Sequence, residues 1–260
     1  MISKNEIKEI KALGQKKFRD EQGLFVVEGE KLVAEALGSG YEVVAHYRVE
    51  DIGEDAMTRI SQLTHPSPAL AVVRQPAPAP FTLAPNELVL ALDGVRDPGN
   101  LGTILRIADW FGIHQVLASE DTVEVYNPKV VQATMGAIFR VRVHYCDLPS
   151  QLQSMKDCVA AGGISGREHF SASGTKYQSS AAIPVYGTFL DGDNIYEMPL
   201  TKGGIIVMGS EANGISPEVA ATVTKRLYIP PFPCDAHTSE SLNVAVATAI
   251  TCAEFRRRTV

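Results

Sequence analysis

The sequence has no CxxC pair and no spaced set of histidines and cysteines, which excludes the common zinc sites and a disulfide framework. Its 4 cysteines, Cys146, Cys158, Cys234 and Cys252, read as free thiols of a reducing compartment, and no metal site is expected. No apolar run is long enough to cross a bilayer. The N-terminus, MISKNEIKEIKALGQKKF, lacks the continuous apolar stretch of a secretory signal, so a cytoplasmic protein without a membrane partner is expected. Nor is there a cationic excess: 24 Lys or Arg stand against 30 Asp or Glu, a net charge of -6. Attachment to nucleic acid by bulk charge is excluded, and local basic patches are not. The GK[ST] nucleotide loop, a GxGxxG after the first strand of the larger region and the GxSxG hydrolase elbow are all missing, and His169 and His237 have no evident nucleophile partner.

What is present is 260 residues at 45% hydrophobic content, the length at which one domain tends to become two. Pro66, Pro68, Pro76, Pro78, Pro80 and Pro85 mark the seam. We expect a small α/β module over 1–75, a proline-rich linker over 76–86 and a larger α/β domain over 87–260. In the small module the pattern predicts helices over Ile2–Leu13 and Gly29–Leu37, strands over Leu24–Val27 and Tyr41–Val49, and a closing edge strand over Ala69–Val73. Its first 19 residues carry Lys4, Lys8, Lys11, Lys16, Lys17 and Arg19 against two glutamates. That cluster reads either as a solvated helix face or as a surface for phosphate backbone.

The larger region alternates apolar strand-like runs (Leu88–Leu92, Gln115–Ala118, Val141–Tyr145, Pro184–Phe189, Gly204–Met208, Arg226–Ile229) with helical segments, the last over 242–257. This is the pattern of a mainly parallel sheet, whose sites lie at the carboxyl ends of the strands. Three strand-end loops stand out. The first is DGVRDPGNLG, continuing to Arg106, with Arg96 in the loop and Asn100 at the helix mouth. The second is MGSEANGISP, with Met208, Gly209 and Glu211. The third runs from IPP to SLNVAVA, with Ser241 and Asn243 ahead of an Ala-rich helix. Taken alone, each is also consistent with simple turn and capping chemistry.

DPGNLGTILRIAD, VMGSEANGIS and IPP followed by SLNVAVATAI resemble, in order and spacing, the three motifs of the SpoU (TrmH-type) branch of the SPOUT RNA methyltransferases. The resemblance covers about residues 88 to 258. FVVEGEK, at residues 25–31, is similar to the start of the small ribosomal-protein-L30e-like RNA-recognition domain that precedes the catalytic domain in many members. The resemblance implies transfer of a methyl group from S-adenosyl-L-methionine to a ribose 2′-oxygen of ribosomal or transfer RNA, with rRNA slightly favoured and DNA not a substrate. It also implies a C-terminal trefoil knot, which periodicity alone cannot reveal because threaded chains are excluded by default.

By the same resemblance, Met208, Gly209, Tyr228, Ile229, Pro230, Ser241, Leu242 and Val244 hold the cofactor, and Arg106 activates the 2′-hydroxyl while Asn100, Glu211, Ser241 and Asn243 organise the site. Lys4, Lys8, Lys11, Lys16, Lys17, Arg19, Arg96 and Arg106 are the leading RNA contacts; Arg140, Arg142 and the Arg256–Arg258 run are weaker ones. A homodimer through the knotted region is implied, with Leu242, Val246 and Ile250 either partner-facing or in the core. The third motif departs from the family pattern, since Ile229 to Ser241 is longer than in typical relatives, with Asp235 and His237 in the extra loop. The competing readings are a noncatalytic RNA-binding relative, a methyltransferase of another substrate class and a scaffold protein.

Overall fold

The computed structural model describes residues 2–84, 86–160, 169–170, 176–177, 183–233 and 241–258. Cys234, Asp235 and His237 lie outside these residues, as do the side chains of Cys158 and His169. Two compact units share the chain: one holds Met1–Pro78, Leu101–Arg106 and Glu124–Arg140, and the other Ala79–Asn100, Ile107–Val123 and Val141–Val260.

The first unit starts with α1 (Lys4–Ala12), set by a capping box in which the Ser3 hydroxyl accepts from the Glu6 amide while the Glu6 carboxylate accepts from the Ser3 amide. There follow α2 (Lys16–Gln22), β1 (Leu24–Glu28), α3 (Glu30–Gly38), β2 (Val43–Arg48), α4 (Val49–Ile52), α5 (Glu54–Ile60) and β3 (Ala69–Arg74). The three strands form an antiparallel sheet in the order β1-β3-β2. Ala69–Val73, expected at the edge, is therefore the central strand. Its uninterrupted apolar run is the reason: all five residues are buried, as in a strand covered on both faces. Ile7 and Ile10 of α1 and Leu13 just after it pack with Met57, Ile60, Leu70 and Val72 to make this unit's core.

Arg19 corrects the reading of the basic N-terminus. Its side chain is only 2% exposed, forms an ion pair with Glu124 and donates to the Leu13 carbonyl at 2.9 Å, so it is a packing element and does not reach RNA. A 19-residue charge count cannot see a carboxylate 105 positions away. Arg19→Ala leaves Glu124 without its partner and is expected to cost about 3 kcal/mol in denaturant unfolding. The salt dependence of RNA binding should stay unchanged, because no phosphate contact is lost.

The second unit begins inside the proline-rich segment. There β4 (Thr82–Leu83) pairs with a short strand at Lys176–Tyr177, and Phe81 and Leu83 are buried in the core. Its other elements are β5 (Leu88–Asp93), α6 (Pro98–Trp110), β6 (Gln115–Ser119), α7 (Pro128–Thr134), β7 (Arg142–Cys146), α8 (Leu148–Ala160), β8 (His169–Phe170), β9 (Lys176–Tyr177), β10 (Val185–Asn194), β11 (Gly204–Gly209), α9 (Pro217–Ala220), β12 (Lys225–Tyr228) and α10 (Val244–Arg257); α7 and the middle of α6 cluster with the first unit.

Six strands form a wholly parallel sheet in the order β12-β10-β11-β5-β6-β7. Every residue of β5 is buried, as is β11 up to Met208. From β5 the chain winds outward through β6 and β7, then returns to the other side of β5 for the remaining three strands. The reversal lies between β5 and β11, whose last residues, Asp93 and Gly209, are register partners. In open parallel sheets that reversal is where ligands bind.

The C-terminal arginines are also committed within the fold. Arg256 donates to the Phe111 and Gly112 carbonyls, Arg257 pairs with Glu254, and Arg258 donates to Glu254 and to the carbonyls of Ile195, Tyr196 and Met198. Arg256 and Arg258 fasten α10 to distant segments, while Arg257 pairs within the helix. The Arg257 hydrogen bond, with a lesser one from Arg258, holds the Glu254 carboxyl below the usual range despite its burial.

Candidate active site

All three motif loops open from carboxyl ends of the parallel sheet. After β5, Asp97 caps α6 by accepting from the Asn100 amide at 2.8 Å, with Pro98 at the first helical position, so Asn100 sits in the first turn. Following β11, Ser210 and Gly214 exchange two backbone hydrogen bonds, of 3.0 and 2.9 Å, and close a tight loop that presents Glu211 to solvent. Gly214 takes φ +66°, and Gly209 has no space for a side chain: an added Cβ would lie 2.1 Å from the Gly214 carbonyl carbon. Beyond β12, the edge strand, Asn243 caps α10, its side-chain oxygen accepting from the amides of Ala245 and Val246.

Asn100 joins the three loops. Its side-chain nitrogen donates to Glu211 Oε1, and its Oδ1 accepts from Asn243 Nδ2 at 3.0 Å. The two bonds fix the Asn100 amide orientation, because a carboxylate can only accept and the Asn243 NH2 can only donate. Residues 111 and 143 positions apart in sequence thus meet in one hydrogen-bonded line.

The other expected residues fall as follows. Ser241 and Leu242 are exposed, Val244 is buried at the start of α10, and Tyr228, Ile229 and Pro230 are half-buried at the end of β12. Arg106 is exposed on α6, six residues beyond Asn100, so the two positions lie about 120° apart around the helix. Arg96 is exposed and paired with Asp121 at 2.8 Å. That guanidinium, with a second hydrogen bond from Ser119, holds the Asp121 carboxyl below its usual range. Lys4, Lys8, Lys11, Lys16 and Lys17 are exposed, the last two facing Asp20 and Glu21 one turn on, and Lys11 also donates to the Ser61 carbonyl. Arg140 is paired with Glu35, and Arg142 is exposed on the edge strand.

Asp93, the last residue of β5, opens the DGVRDPGNLG loop and has a contact that the sequence does not disclose. Its carboxylate is 9% exposed and accepts from the Ser216 amide at 2.6 Å, beside Gly94, whose amide donates to the Ser119 hydroxyl. The available signal was position: an acidic residue ending an otherwise apolar parallel strand.

The donor set fits a cationic, nucleoside-bearing cofactor. The exposed carboxylate of Glu211 suits a positive centre, the amides of Asn100 and Asn243 supply both donors and acceptors, and the Pro230–Pro231 backbone offers carbonyls without N–H groups of its own. Among the described residues, no group of histidines, cysteines and carboxylates is placed to hold a metal ion. Burial pushes the Cys146 thiol up to about 11 and that of Cys252 to about 12, so neither is a nucleophile at neutral pH.

The SpoU rRNA Methylase family model matches residues 87–169 and 168–253, and an MRM3-like substrate binding domain matches residues 4–62. A 23S rRNA (guanosine(2553)-2′-O)-methyltransferase of Bacillus subtilis is 31% identical over 95% of this chain and 95% of its own. The mouse mitochondrial rRNA methyltransferase 3 is 27% identical over 93% of this chain and 69% of its own. Among solved structures, a TrmH-family protein from Porphyromonas gingivalis superposes with a TM-score of 0.79 at 40% identity, covering 99% of each chain. An AdoMet-bound rRNA methyltransferase from Sinorhizobium meliloti gives 0.79 at 28% identity, covering 100% of this chain and 97% of that one. The family match spans all three loops that Asn100 and its partners join, and this chain belongs to the SpoU rRNA methylase family.

Proposed function

We infer that the RNA target is ribosomal, within the reaction class to which this enzyme belongs: S-adenosylmethionine-dependent methylation of a ribose 2′-oxygen in RNA. The observation that carries the site assignment is the Glu211–Asn100–Asn243 line, which gathers all three motif loops near the reversal of the parallel sheet. Bound there, the cofactor supplies a methyl group on a sulfonium, already a strong electrophile. A ribose hydroxyl is a poor nucleophile while protonated, so the protein must align it and manage its proton.

In this reading Arg106 binds a phosphate of the RNA and stabilises negative charge as it develops on the oxygen. A guanidinium remains protonated throughout the physiological range, which makes it a poor acceptor for the proton itself. Glu211 and Asn243 orient the ribose and the cofactor end through Asn100. Gly209 and the Tyr228–Pro230 backbone line the cofactor side, with Met208, Leu242 and Val244.

Ribosomal RNA is favoured because the Bacillus subtilis and mouse relatives, each similar over more than nine-tenths of this chain, are named for it and because residues 4–62 match a substrate-binding module. The exposed lysines Lys4, Lys8, Lys11, Lys16 and Lys17, with Arg96, supply local positive charge in a chain of net charge -6. Two copies pair through apolar side chains left outside: Trp110 is 86% exposed, Val246 49% and Leu242 47%. Among the described residues, no helix is long and apolar enough to cross a membrane.

Mapping 2′-O-methyl positions in total RNA from cells with and without this protein tests the target. Loss of one rRNA modification supports the assignment. Loss confined to tRNA overturns it without touching the reaction class.

A further inference from the structure

The loop that carries Glu211 is fastened at two ends. Its start continues from β11, whose Gly209 is paired in register with Asp93 of β5. Its end is held by a side chain, the Asp93 carboxylate, which accepts from the Ser216 amide at 2.6 Å. Between these points the loop bonds mainly to itself, through Ser210 with Gly214 and the Asn213 amide with the Ser210 hydroxyl. Its contact with the first motif is made by Glu211, through Asn100.

We propose that Asp93 is the positioning residue of this site, one that fixes the Ser210–Ser216 loop so that Glu211 is presented to Asn100. A charged acceptor 9% exposed makes a stronger bond than a neutral one, and a buried amide left without it costs free energy. Asp93 is itself held from behind. The next amide, Gly94 N–H, donates to Ser119 Oγ at 2.9 Å, and Gly94 takes φ +71°, a conformation that favours glycine. The strand end, the carboxylate and the loop base therefore form one rigid unit, and removing its middle member releases Glu211 while the strand stays in place. Asp93 acts through Glu211 and touches neither substrate.

The inference rests on the methyltransferase reading, and a double-mutant cycle separates the two. With purified protein, S-adenosylmethionine and an rRNA fragment, an inactive parent protein overturns the reading of function. Given an active parent, Asp93→Ala is expected to lower kcat about tenfold, the factor of roughly one lost hydrogen bond to a charged group. KM and the calorimetric Kd for S-adenosylmethionine should stay within about twofold, because a positioning role acts on kcat. Asp93→Asn keeps an acceptor for the Ser216 amide and should restore kcat to within about threefold of the parent. In a Glu211→Ala background, Asp93→Ala should cost nothing further, since both changes remove the same interaction. Multiplicative losses in the double variant, an asparagine variant as poor as the alanine one, or a lowered melting temperature with kcat unchanged would each overturn the proposal. Asp93→Leu, close in shape and without an acceptor, carries the same expectations where the alanine variant does not fold.

Discussion

Arg106→Ala is expected to lower the rate of methyl transfer by about a hundred- to a thousandfold while S-adenosylmethionine binds with nearly unchanged affinity. The split follows from position. Arg106 lies about 120° round α6 from Asn100 and is exposed, and in the proposed reading its guanidinium serves the RNA and not the loops that line the cofactor. In that reading its loss removes a phosphate anchor and the charge that stabilises the forming oxyanion, both felt most in the transition state. Arg106→Lys keeps the charge and loses the planar fork, and should fall between the two. Single-turnover methyl transfer and calorimetry on the same preparation check the pair of values. Unchanged turnover contradicts the role, and so does cofactor affinity that falls in step with the rate.

The opposite split is expected at Gly209. An alanine Cβ there would lie 2.1 Å from the Gly214 carbonyl carbon and 2.3 Å from the Ile215 amide nitrogen, both backbone atoms that cannot rotate aside. The loop must move. Overpacking of this kind costs about 1–3 kcal/mol, which corresponds to roughly ten- to a hundredfold in S-adenosylmethionine affinity if the loop is the cofactor cradle. Turnover should fall at least as far, because displacing the loop also withdraws Glu211 from Asn100. Gly214→Ala is the control: φ is +66° there but no atom lies within 4 Å of the added Cβ, so only backbone strain of about 1 kcal/mol is incurred. A Gly209→Ala protein that binds S-adenosylmethionine like the parent would remove this loop from the cofactor site.

Much of the catalytic domain was legible in the sequence because parallel strands buried on both faces are written as dense apolar runs. LVLAL and IIVM leave little choice of element, and the loops that follow them carry their polar residues in a recognisable order. Strand order was not legible, and it is what makes β5 and β11 neighbours and brings Asn243 back to Asn100. The short polar helix Lys16–Gln22 has no counterpart in the sequence pattern, because seven residues with little apolar spacing give no periodic signal. Arg19 illustrates the limit of counting charge: among six cations in the first 19 residues, its burial is decided by Glu124, which the local pattern does not contain. Arg256–Arg258 reads as a basic tail for the same reason, although Arg256 and Arg258 spend hydrogen bonds on carbonyls of distant segments. Asp93 was hidden differently, since a strand-end aspartate is common in turns and only the fold reveals the amide it accepts from.

The central claim is methyl transfer to a ribose oxygen, and one measurement addresses it directly. Purified protein is incubated with methyl-labelled S-adenosylmethionine and ribosomal RNA, the RNA is digested to nucleosides, and the labelled nucleoside is identified by mass spectrometry. Label in a 2′-O-methylnucleoside, lost in the Arg106→Ala variant, is the predicted result; label on a base, or no transfer from a protein that still binds the cofactor and RNA, would contradict it.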